Sequence, residues 1–363
     1  MKVIIIGLGP QGLFLIRELA RADYEVTVIG KKNEIGYFSK FGRKIEIQNE
    51  LDLINKIKEM QDIFYGTDCH ITSGFYLSFL LKNVPEFWKI FNVYPHPYES
   101  VKIFNNKIET YKVAQKNGIQ VLESFILSDV EQNTERPFPY PMIAKWLQDI
   151  NLFSKPKFKT AVLQNSKELK KIIETTSNYE RENIIIQEYL GNDFKDNFSF
   201  GGFFKDGECL AGILVQQEKQ YPMGLSSYVK EYNGKYSFKL IDDAKKIFKY
   251  MNFSGFGEAE FKYVKKNKRF ILLEVNPRTW GWVKILKQKY PNIIKSIEGD
   301  PLKPISHRCK WTNVLRNAQT LKSDLTFDNL SNYISSHVRS LYDIWDIRDL
   351  KPFFYQLKRK LTV

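Results

Sequence analysis

The sequence of 363 residues predicts an α/β protein with more than one domain. Strand and helix patterns alternate over the first hundred residues, which is typical of a sheet with helices on both faces. From residue 198 to residue 276 the pattern is mostly strands, interrupted by one helix near 240–251. A chain of this length can bury more than one core, so these two patterns indicate separate units.

The composition indicates a globular protein, because 43% of the residues are hydrophobic and 15% are aromatic. No apolar run approaches the roughly 20 residues that span a bilayer. The beginning of the chain lacks a signal-peptide cleavage pattern, and we expect a cytoplasmic location. The three cysteines, Cys69, Cys209 and Cys309, lie far apart, so neither a disulfide framework nor a zinc site is indicated.

The net charge of +14 attracts anions such as nucleotides, nucleic acid, acidic lipid or acidic sugars. Much of the lysine excess is spread along ordinary helical patterns, as at 167–171, where it makes a solvated surface. The sequence shows no zinc-finger spacing, RNA-binding aromatic motif or long basic tail. We therefore expect no nucleic-acid partner.

The first thirty residues predict a strand, a glycine-rich turn, a helix and a second strand. The turn Gly7-Leu-Gly-Pro-Gln-Gly12 matches GxGxxG, in which backbone amides and the helix dipole can face a phosphate. The second strand, however, ends at Gly30 and two lysines, where a dinucleotide site would need an acid. Two interpretations stay open, a dinucleotide site and a tight strand-to-helix turn.

Further elements follow from apolar periodicity and from turn residues. The predicted strands are at 44–47, 62–65, 88–93, 139–146, 160–163, 184–188, 198–204, 208–217, 228–232, 257–263 and 270–276, and the predicted helices are near 50–60, 74–82, 107–117, 166–175 and 240–251.

The last two of these strands carry the candidate chemistry. They are joined by the polar stretch 265–269 and predict a β-hairpin in which Glu260 and Glu274 face each other. Asn276 lies on the same face as Glu274, because side chains alternate along a strand. Two carboxylates and an amide oxygen suit Mg²⁺, which keeps its other positions for water and phosphate. Arg278 follows, where its guanidinium can stabilise charge that develops in phosphoryl transfer. The competing interpretation is a surface cluster of acids and arginine.

The hairpin EAEFKYVKKNKRFILLEVNPR resembles the metal-binding hairpin of the ATP-grasp superfamily, and the likeness extends over residues 1–285. The resemblance implies nucleotide-binding roles for Lys107 and for Lys145, the latter at the α- and β-phosphates. It implies that the backbone of Glu188, Tyr189 and Leu190 binds adenine. Asp193 is then the candidate for the ribose and Lys219 the candidate for the γ-phosphate.

The resemblance also implies the ATP-grasp fold, in the form of a Rossmann-like pre-ATP-grasp domain (1–103), a small lid subdomain (104–186), a large subdomain with the metal site (187–310) and a C-terminal helical extension (311–363). The closest likeness within the superfamily is to carboxylate–amine ligases of the D-aspartate-ligase-like branch. We therefore expect ATP and Mg²⁺ as cofactors, with two ions that Mn²⁺ can replace. The implied substrates are a small carboxylate and an amine, including a sugar acid or lipid-linked saccharide, and a homodimer is compatible with this class.

Two departures from the family pattern stand out. Asn106 occupies the position before the first lysine where an acid is usual, and the loop 147–160 lacks a glycine-rich phosphate cover, for which Lys155, Lys157 and Lys159 are candidate substitutes. Two other functions stay open. One is an NAD(P)-dependent Rossmann oxidoreductase that uses the N-terminal glycines, and the other is a non-catalytic nucleotide-binding relative.

The last residues predict a helix that begins near Pro352, with Phe353, Leu357 and Leu361 on one side. The three basic residues 358–360 crowd its end. This helix either docks on the protein through its apolar stripe or makes a weak contact with an anionic membrane at the inner face.

Overall fold

The computed structural model describes residues 1–132, 138–148, 158, 160–222, 224–322 and 327–361. Three sheets of five, four and seven strands organise these residues. No helix among them is both long enough and apolar enough to cross a membrane.

The N-terminal unit is a parallel sheet flanked by helices. Its elements are β1 (Lys2–Ile6), α1 (Pro10–Arg21), β2 (Glu25–Gly30), β3 (Arg43–Glu46), α2 (Glu50–Met60), β4 (Asp68–Ile71), α3 (Gly74–Asn83), α4 (Phe87–Ile90), β5 (Asn92–Tyr94) and α5 (Tyr98–Phe104). The strand order is β3-β2-β1-β4-β5. The chain proceeds from β1 to one edge of the sheet through β2 and β3, and then returns to the other side of β1 as the parallel strand β4. Ligands of open α/β sheets bind at such a switch point, outside the carboxyl ends of the strands.

Two predictions for this unit are wrong. Residues 62–65 are not a strand, because Ile63 and Tyr65 point into solvent, 69% and 75% exposed. The strand of this region is instead β4. Its polar residue His70 is buried against the ring of Tyr94 and interrupts the apolar pattern from which a buried strand is predicted. The predicted strand at 88–93 is divided between α4 and the shorter β5.

The second unit is a small antiparallel sheet. Its elements are α6 (Lys107–Lys116), β6 (Phe125–Ile126), α7 (Leu127–Gln132), β7 (Met142–Trp146), β8 (Thr160–Leu163), α8 (Ser166–Thr175), α9 (Asn178–Glu182) and β9 (Ile184–Glu188). The strand order is β6-β9-β7-β8, and a buried cluster that includes Met142, Leu163 and Ile186 holds α7 and α8 against the sheet. Asn106 caps α6, because its side chain accepts a hydrogen bond from the backbone N–H of Glu109 at 3.2 Å.

The third unit is built on the largest sheet. Its elements are β10 (Asn197–Lys205), β11 (Glu208–Gln220), β12 (Ser226–Glu231), α10 (Ser237–Tyr250), β13 (Gly255–Val264), β14 (Arg269–Asn276), α11 (Ile285–Lys289), α12 (Ile294–Glu298), β15 (Lys310–Thr312), α13 (Val314–Lys322), α14 (Phe327–His337), β16 (Leu341–Tyr342) and α15 (Lys351–Leu361). The order is β14-β13-β10-β11-β12-β15-β16. The segment after residue 310, expected to be helical, therefore also contributes strands to this sheet.

The two faces of this sheet differ. Phe198, Phe200 and Phe261 lie on one face and share a buried core with residues of α10, such as Phe248. The opposite face carries alternating polar residues of β13 and β14, since neighbours along a strand point to opposite sides. That opposite face therefore carries the polar residues of the candidate site, beside a second buried apolar cluster that includes Phe203, Phe256 and Trp280.

The C-terminal helix α15 docks on the N-terminal unit. Phe353 packs beside Leu13 and Ile344, and the ring of Tyr355 stacks on that of Phe38 at a centroid distance of 3.7 Å. Just before the helix, Asp349 accepts a hydrogen bond from Nε of Arg17 at 2.9 Å, and both side chains are almost fully buried. The docked arrangement is therefore the one that the structure shows.

Candidate functional site

The hairpin of β13 and β14 carries the polar centre of the site. Glu260 lies directly opposite Glu274, and Glu258 lies opposite Asn276. The predicted pairing of Glu260 with Glu274 is confirmed. Since directly opposed side chains on one face lie about 4.5–5.5 Å apart, the hairpin brings carboxylates together that would repel one another in the absence of a cation.

One amide group lies among three carboxylates. Nδ2 of Asn276 is 3.1 Å from an oxygen of Glu258, 3.1 Å from one of Glu260 and 3.4 Å from one of Glu274. A carboxamide has only two hydrogens to donate, so three acceptors exceed what it can satisfy. Nζ of Lys107 also lies 3.2 Å from Glu274. The cluster thus attracts positive charge, and the ammonium of Lys107 supplies some of it.

The burial of Glu258 has an electrostatic consequence. Burial raises the pKa of Glu258, and the negative charge of Glu274 raises it further, to about 7. The positive charge of Arg278 acts in the opposite direction and lowers this pKa. Sequence reasoning missed this residue. The signal was present, because Glu258, Glu260 and Lys262 alternate along one strand and must share a face.

Beside this cluster lies a cavity of about 370 Å³ between the small sheet and the large sheet. Cavities of this size commonly hold small-molecule ligands. The lining combines apolar side chains with cations and acids, namely Phe75, Lys107, Leu122, Ile143, Lys145, Trp146, Gln148, Thr160, Glu188, Tyr189, Leu190, Gly191, Asn192, Asn197, Gln220, Gly224, Glu260, Lys262, Leu273 and Glu274. Most residues predicted to bind nucleotide therefore meet at one place.

Two lysines face the acidic cluster from the small unit. Lys107 begins α6, and Lys145 lies in β7. Burial lowers the pKa of Lys145 to about 8, although the carboxylate of Glu274 acts in the opposite direction. Because this ammonium is already partly removed from water, it gains from an anionic ligand in the cavity.

The strand β9 ends at the cavity and leads into the predicted adenine-binding segment. Glu188, Tyr189 and Leu190 all line the cavity. The backbone N–H of Tyr189 donates to the carbonyl of Pro141 at 3.3 Å, which ties the segment to the start of β7. The segment lies where two units of the chain meet, as an interdomain hinge would.

Four predicted site residues are not among the described residues that line this cavity, namely Asp193, Lys219, Asn276 and Arg278. Asp193 instead accepts from Nζ of Lys265 at 2.8 Å and from the backbone N–H of Lys195. Lys262 takes the nearer position, and its Nζ donates to the backbone carbonyl of Asp193 at 2.9 Å. The neighbouring residue Asn192 also lines the cavity, where Asp193 had been predicted.

Lys219 also lies off the cavity. The register between β11 and β12 shifts on both sides of Lys219, and Gln220 and Gly224 line the cavity in its place. A β-bulge redirects the side chains that follow it, and the sequence gives no clear sign of this one. The predicted phosphate-covering residues Lys155, Lys157 and Lys159 lie outside the described residues.

Arg278 and Asn276 lie next to the cavity rather than in it. An adjoining small pocket is lined by both residues and by Lys107 and Glu274. One guanidinium nitrogen of Arg278 donates to Oδ1 of Asn276 at 3.2 Å. The hydroxyl of Thr279 donates to the carbonyl of Thr72 at 3.4 Å, so the segment after β14 touches the switch point of the N-terminal sheet.

The N-terminal glycine turn is occupied by the chain itself. The carboxylate of Glu34 accepts hydrogen bonds from the backbone N–H groups of Leu8 at 3.2 Å and Lys31 at 2.7 Å. A Cβ on Gly12 would lie 2.1 Å from the carbonyl oxygen of Gly7, so close packing alone requires a glycine there. These contacts favour the tight-turn interpretation over a dinucleotide site.

The pair Trp280 and Trp282 packs rather than lining an open pocket. Each is 2% exposed, and their ring centroids lie 5.0 Å apart in an edge-to-face arrangement. The two indoles close the large sheet against the N-terminal unit beside the acidic cluster.

Comparison with solved structures finds enzymes of similar architecture. N5-carboxyaminoimidazole ribonucleotide synthetase from Thermus thermophilus superimposes with a TM-score of 0.64 at 13% identity, covering 86% of this chain and 82% of that one. L-amino acid ligase from Bacillus licheniformis gives 0.60 at 16% identity, covering 84% and 75%. The biotin carboxylase domain of Hydrogenobacter thermophilus 2-oxoglutarate carboxylase, in complex with MgADP, gives 0.65 at 15% identity, covering 86% and 74%.

No protein-family model matches the sequence, and no curated protein matches it. At these identities the structural likeness establishes the fold.

Proposed function

We propose that this chain, which has the ATP-grasp fold, is an ATP-dependent ligase that joins a carboxylate to an amine. In the proposed reaction the carboxylate attacks the γ-phosphorus of ATP, ADP leaves, and the amine displaces phosphate from the resulting acyl phosphate. The observation that carries the proposal is the meeting of Lys107, Lys145, Glu260 and Glu274 at one cavity beside the hinge.

The lining of the cavity suits a nucleotide. Leu122, Ile143 and Leu273 supply apolar contacts for a base, and the segment Glu188–Leu190 can recognise its edge. Lys107 and Lys145, which line the same cavity, would hold phosphate oxygens by charge-assisted hydrogen bonds. Lys262 lies near the position where a ribose would reach the turn after β9, while the roles of Asp193 and Lys219 stay predictions.

The donor set fits Mg²⁺. Glu260, Glu274 and the oxygen of Asn276 are hard oxygen ligands, and Mg²⁺ commonly binds through one or two carboxylates together with substrate phosphates. The excess of acceptors around Nδ2 of Asn276 supports the proposal that the cluster binds a cation. When bound, Mg²⁺ would neutralise charge on the transferring phosphoryl group. We propose two ions, with Mn²⁺ as a substitute.

The remaining residues would position the second stage. Arg278 lies between the acidic cluster and the switch point of the N-terminal sheet, where it can bind the carboxylate or the developing oxyanion. The packed indoles of Trp280 and Trp282 help to exclude water from this side. Exclusion of water matters because an acyl phosphate hydrolyses readily, and positioning rather than a protein nucleophile would drive the step.

The identity of the carboxylate and the amine can be found by a screen for ADP release. We expect ATP-dependent ADP release with a subset of amino acids or sugar acids, and a mass increase in the product that corresponds to amide formation. An L-amino acid ligase is among the similar structures, so amino acids are tested first, followed by saccharide and lipid-linked saccharide acceptors.

Titration calorimetry with ATP–Mg²⁺ and with NADH tests the competing functions. ATP binding without NADH binding is expected, because Glu34 fills the glycine turn. Tight NADH binding without ATP binding would overturn the proposal in favour of an oxidoreductase. ATP binding without ADP release under any substrate pair would favour a non-catalytic relative.

The location of the enzyme is part of the proposal. We propose a cytoplasmic protein that also makes weak contact with anionic membrane, and size measurement in solution will show whether it forms a homodimer. The membrane surface would differ from the one predicted, because Phe353 of the predicted apolar stripe is partly buried and packs beside Leu13 and Ile344. Ile347 and Phe354 are 76% and 58% exposed and have the cations Arg348 and Lys351 nearby in the sequence.

Sedimentation with anionic liposomes tests this contact. At low salt we expect the wild-type protein to sediment and the double variant Ile347→Ser, Phe354→Ser to remain in the supernatant, since each basic residue contributes only about 1 kcal/mol. High salt should release the wild type. If the wild type stays in the supernatant at low salt, the membrane contact is excluded and the helix serves only packing.

A further inference from the structure

The residue Glu258 lies next to the candidate metal ligands, and no role has been assigned to it. Its neighbours across the sheet are Asn276 on β14 and Gly201 on β10. A Cβ on Gly201 would lie 2.2 Å from the ring of Trp280, so the indole lies directly over the glycine. Glu258 is 3% exposed in this enclosed place. A buried carboxylate is costly unless its hydrogen bonds are provided.

Those hydrogen bonds come from the side chains of Asn276 and Trp282. Nδ2 of Asn276 donates to Oε2 of Glu258 at 3.1 Å, and Trp282 also hydrogen-bonds to this carboxylate. On its other side, Oδ1 of Asn276 accepts from Arg278 at 3.2 Å. Glu258, Asn276 and Arg278 therefore form a continuous hydrogen-bonded row beside the metal ligands.

The chemistry of the carboxamide then assigns a task to Glu258. Asn276 can bind a cation only through its oxygen, which here accepts from Arg278. The NH₂ group, which here faces Glu260 and Glu274 as well as Glu258, therefore has to turn away from those two ligands when a cation binds. Of the three carboxylates around that NH₂ group, Glu260 and Glu274 would be engaged by the metal. Glu258 is the remaining acceptor, and it lies on the strand opposite Asn276.

We propose that Glu258 is a positioning residue that holds the NH₂ group of Asn276 and thereby directs the carboxamide oxygen toward the bound cation. The inference rests on the metal site of the proposed function. Partners that orient metal ligands typically change metal affinity by 10–100-fold when they are removed.

The test is calorimetric titration of Mn²⁺ into the protein saturated with ADP, which measures affinity without turnover. We expect Glu258→Leu to weaken Mn²⁺ binding about tenfold, and Glu258→Gln, which keeps an acceptor oxygen, to stay within about threefold of the wild type. The matched control is Glu218→Leu on β11 of the same sheet, where Glu218 pairs with Lys230, and it should bind Mn²⁺ as the wild type does.

A double-mutant cycle makes the test specific. In an Asn276→Ala background, Glu258→Leu should cause no further loss, because the group that it positions is gone. Glu258→Val serves in the same cycle if the leucine variant does not fold. Wild-type affinity in the folded Leu or Val variant, equal losses with Gln and Leu, or additive losses in the cycle would each overturn the inference. If the wild type itself binds no Mn²⁺, the metal site of the proposed function fails as well.

Discussion

Replacement of Glu274 by Gln should reduce the rate of ADP release at least about a hundredfold, since removal of one electrostatic stabiliser typically lowers the rate by 10²–10³. The fold should be retained. Glu274 lies opposite Glu260, 3.4 Å from Nδ2 of Asn276 and 3.2 Å from Nζ of Lys107. It is the ligand best placed to bridge two cations. The loss of one formal charge there weakens the binding of both, although the shape of the side chain hardly changes.

The melting temperature without nucleotide separates a catalytic effect from a folding effect. We expect it to hold or rise in Glu274→Gln, because repulsion among the clustered carboxylates decreases. Glu208→Gln is the control, since Glu208 is an exposed partner of Lys249 on the same sheet. It should release ADP at the wild-type rate. Wild-type turnover in Glu274→Gln would remove the assignment of the metal site.

Lys145→Ala should weaken ATP binding by about 1.5–3 kcal/mol, the range for hydrogen bonds to charged groups, or about 10–150-fold in Kd. Lys145 is partly buried and lines the cavity near the acidic cluster. Equilibrium binding of ATP–Mg²⁺ measured by calorimetry gives the difference directly.

Lys112→Ala is the matched control for this measurement. Lys112 lies on α6, its side chain is 60% exposed, and its Nζ pairs with Glu109 at 2.8 Å. Such an exposed pair contributes little, and we expect unchanged ATP affinity. Equal losses in Lys145→Ala and Lys112→Ala would mean that the second nucleotide-binding strand has been misplaced.

Local sequence patterns were sufficient for several elements of the small unit, including two strands that border the cavity. The strands Ile184–Glu188 and Thr160–Leu163 and the helix Ser166–Thr175 match their predicted bounds, because apolar periodicity and turn residues agree there. The facing of Glu260 and Glu274 agrees with the predicted hairpin, but the register at the turn alone would place Leu273 opposite Glu260. A register shift between Glu260 and Phe261 brings Glu274 there instead, and the sequence pattern did not predict that shift.

Other features depend on contacts between distant parts of the chain. His70 is a polar residue in a buried strand, where stacking on Tyr94 overrides the local pattern. The bulges around Lys219 arise from the pairing of two strands, and the sequence of neither strand alone predicts them. Glu34 reaches the glycine turn from 26 positions away along the chain, and no GxGxxG pattern predicts that contact.

The origin of the oxygen in the released phosphate tests the central claim most directly. The protein is incubated with ATP–Mg²⁺, an amine and a carboxylate substrate from the ADP-release screen whose carboxyl oxygens carry ¹⁸O. Attack of the carboxylate on the γ-phosphorus predicts that one ¹⁸O atom appears in the inorganic phosphate, as read by mass spectrometry, in step with ADP and amide formation. Release of ADP with unlabelled phosphate only would contradict the acyl-phosphate mechanism and show that water, not a carboxylate, had attacked ATP.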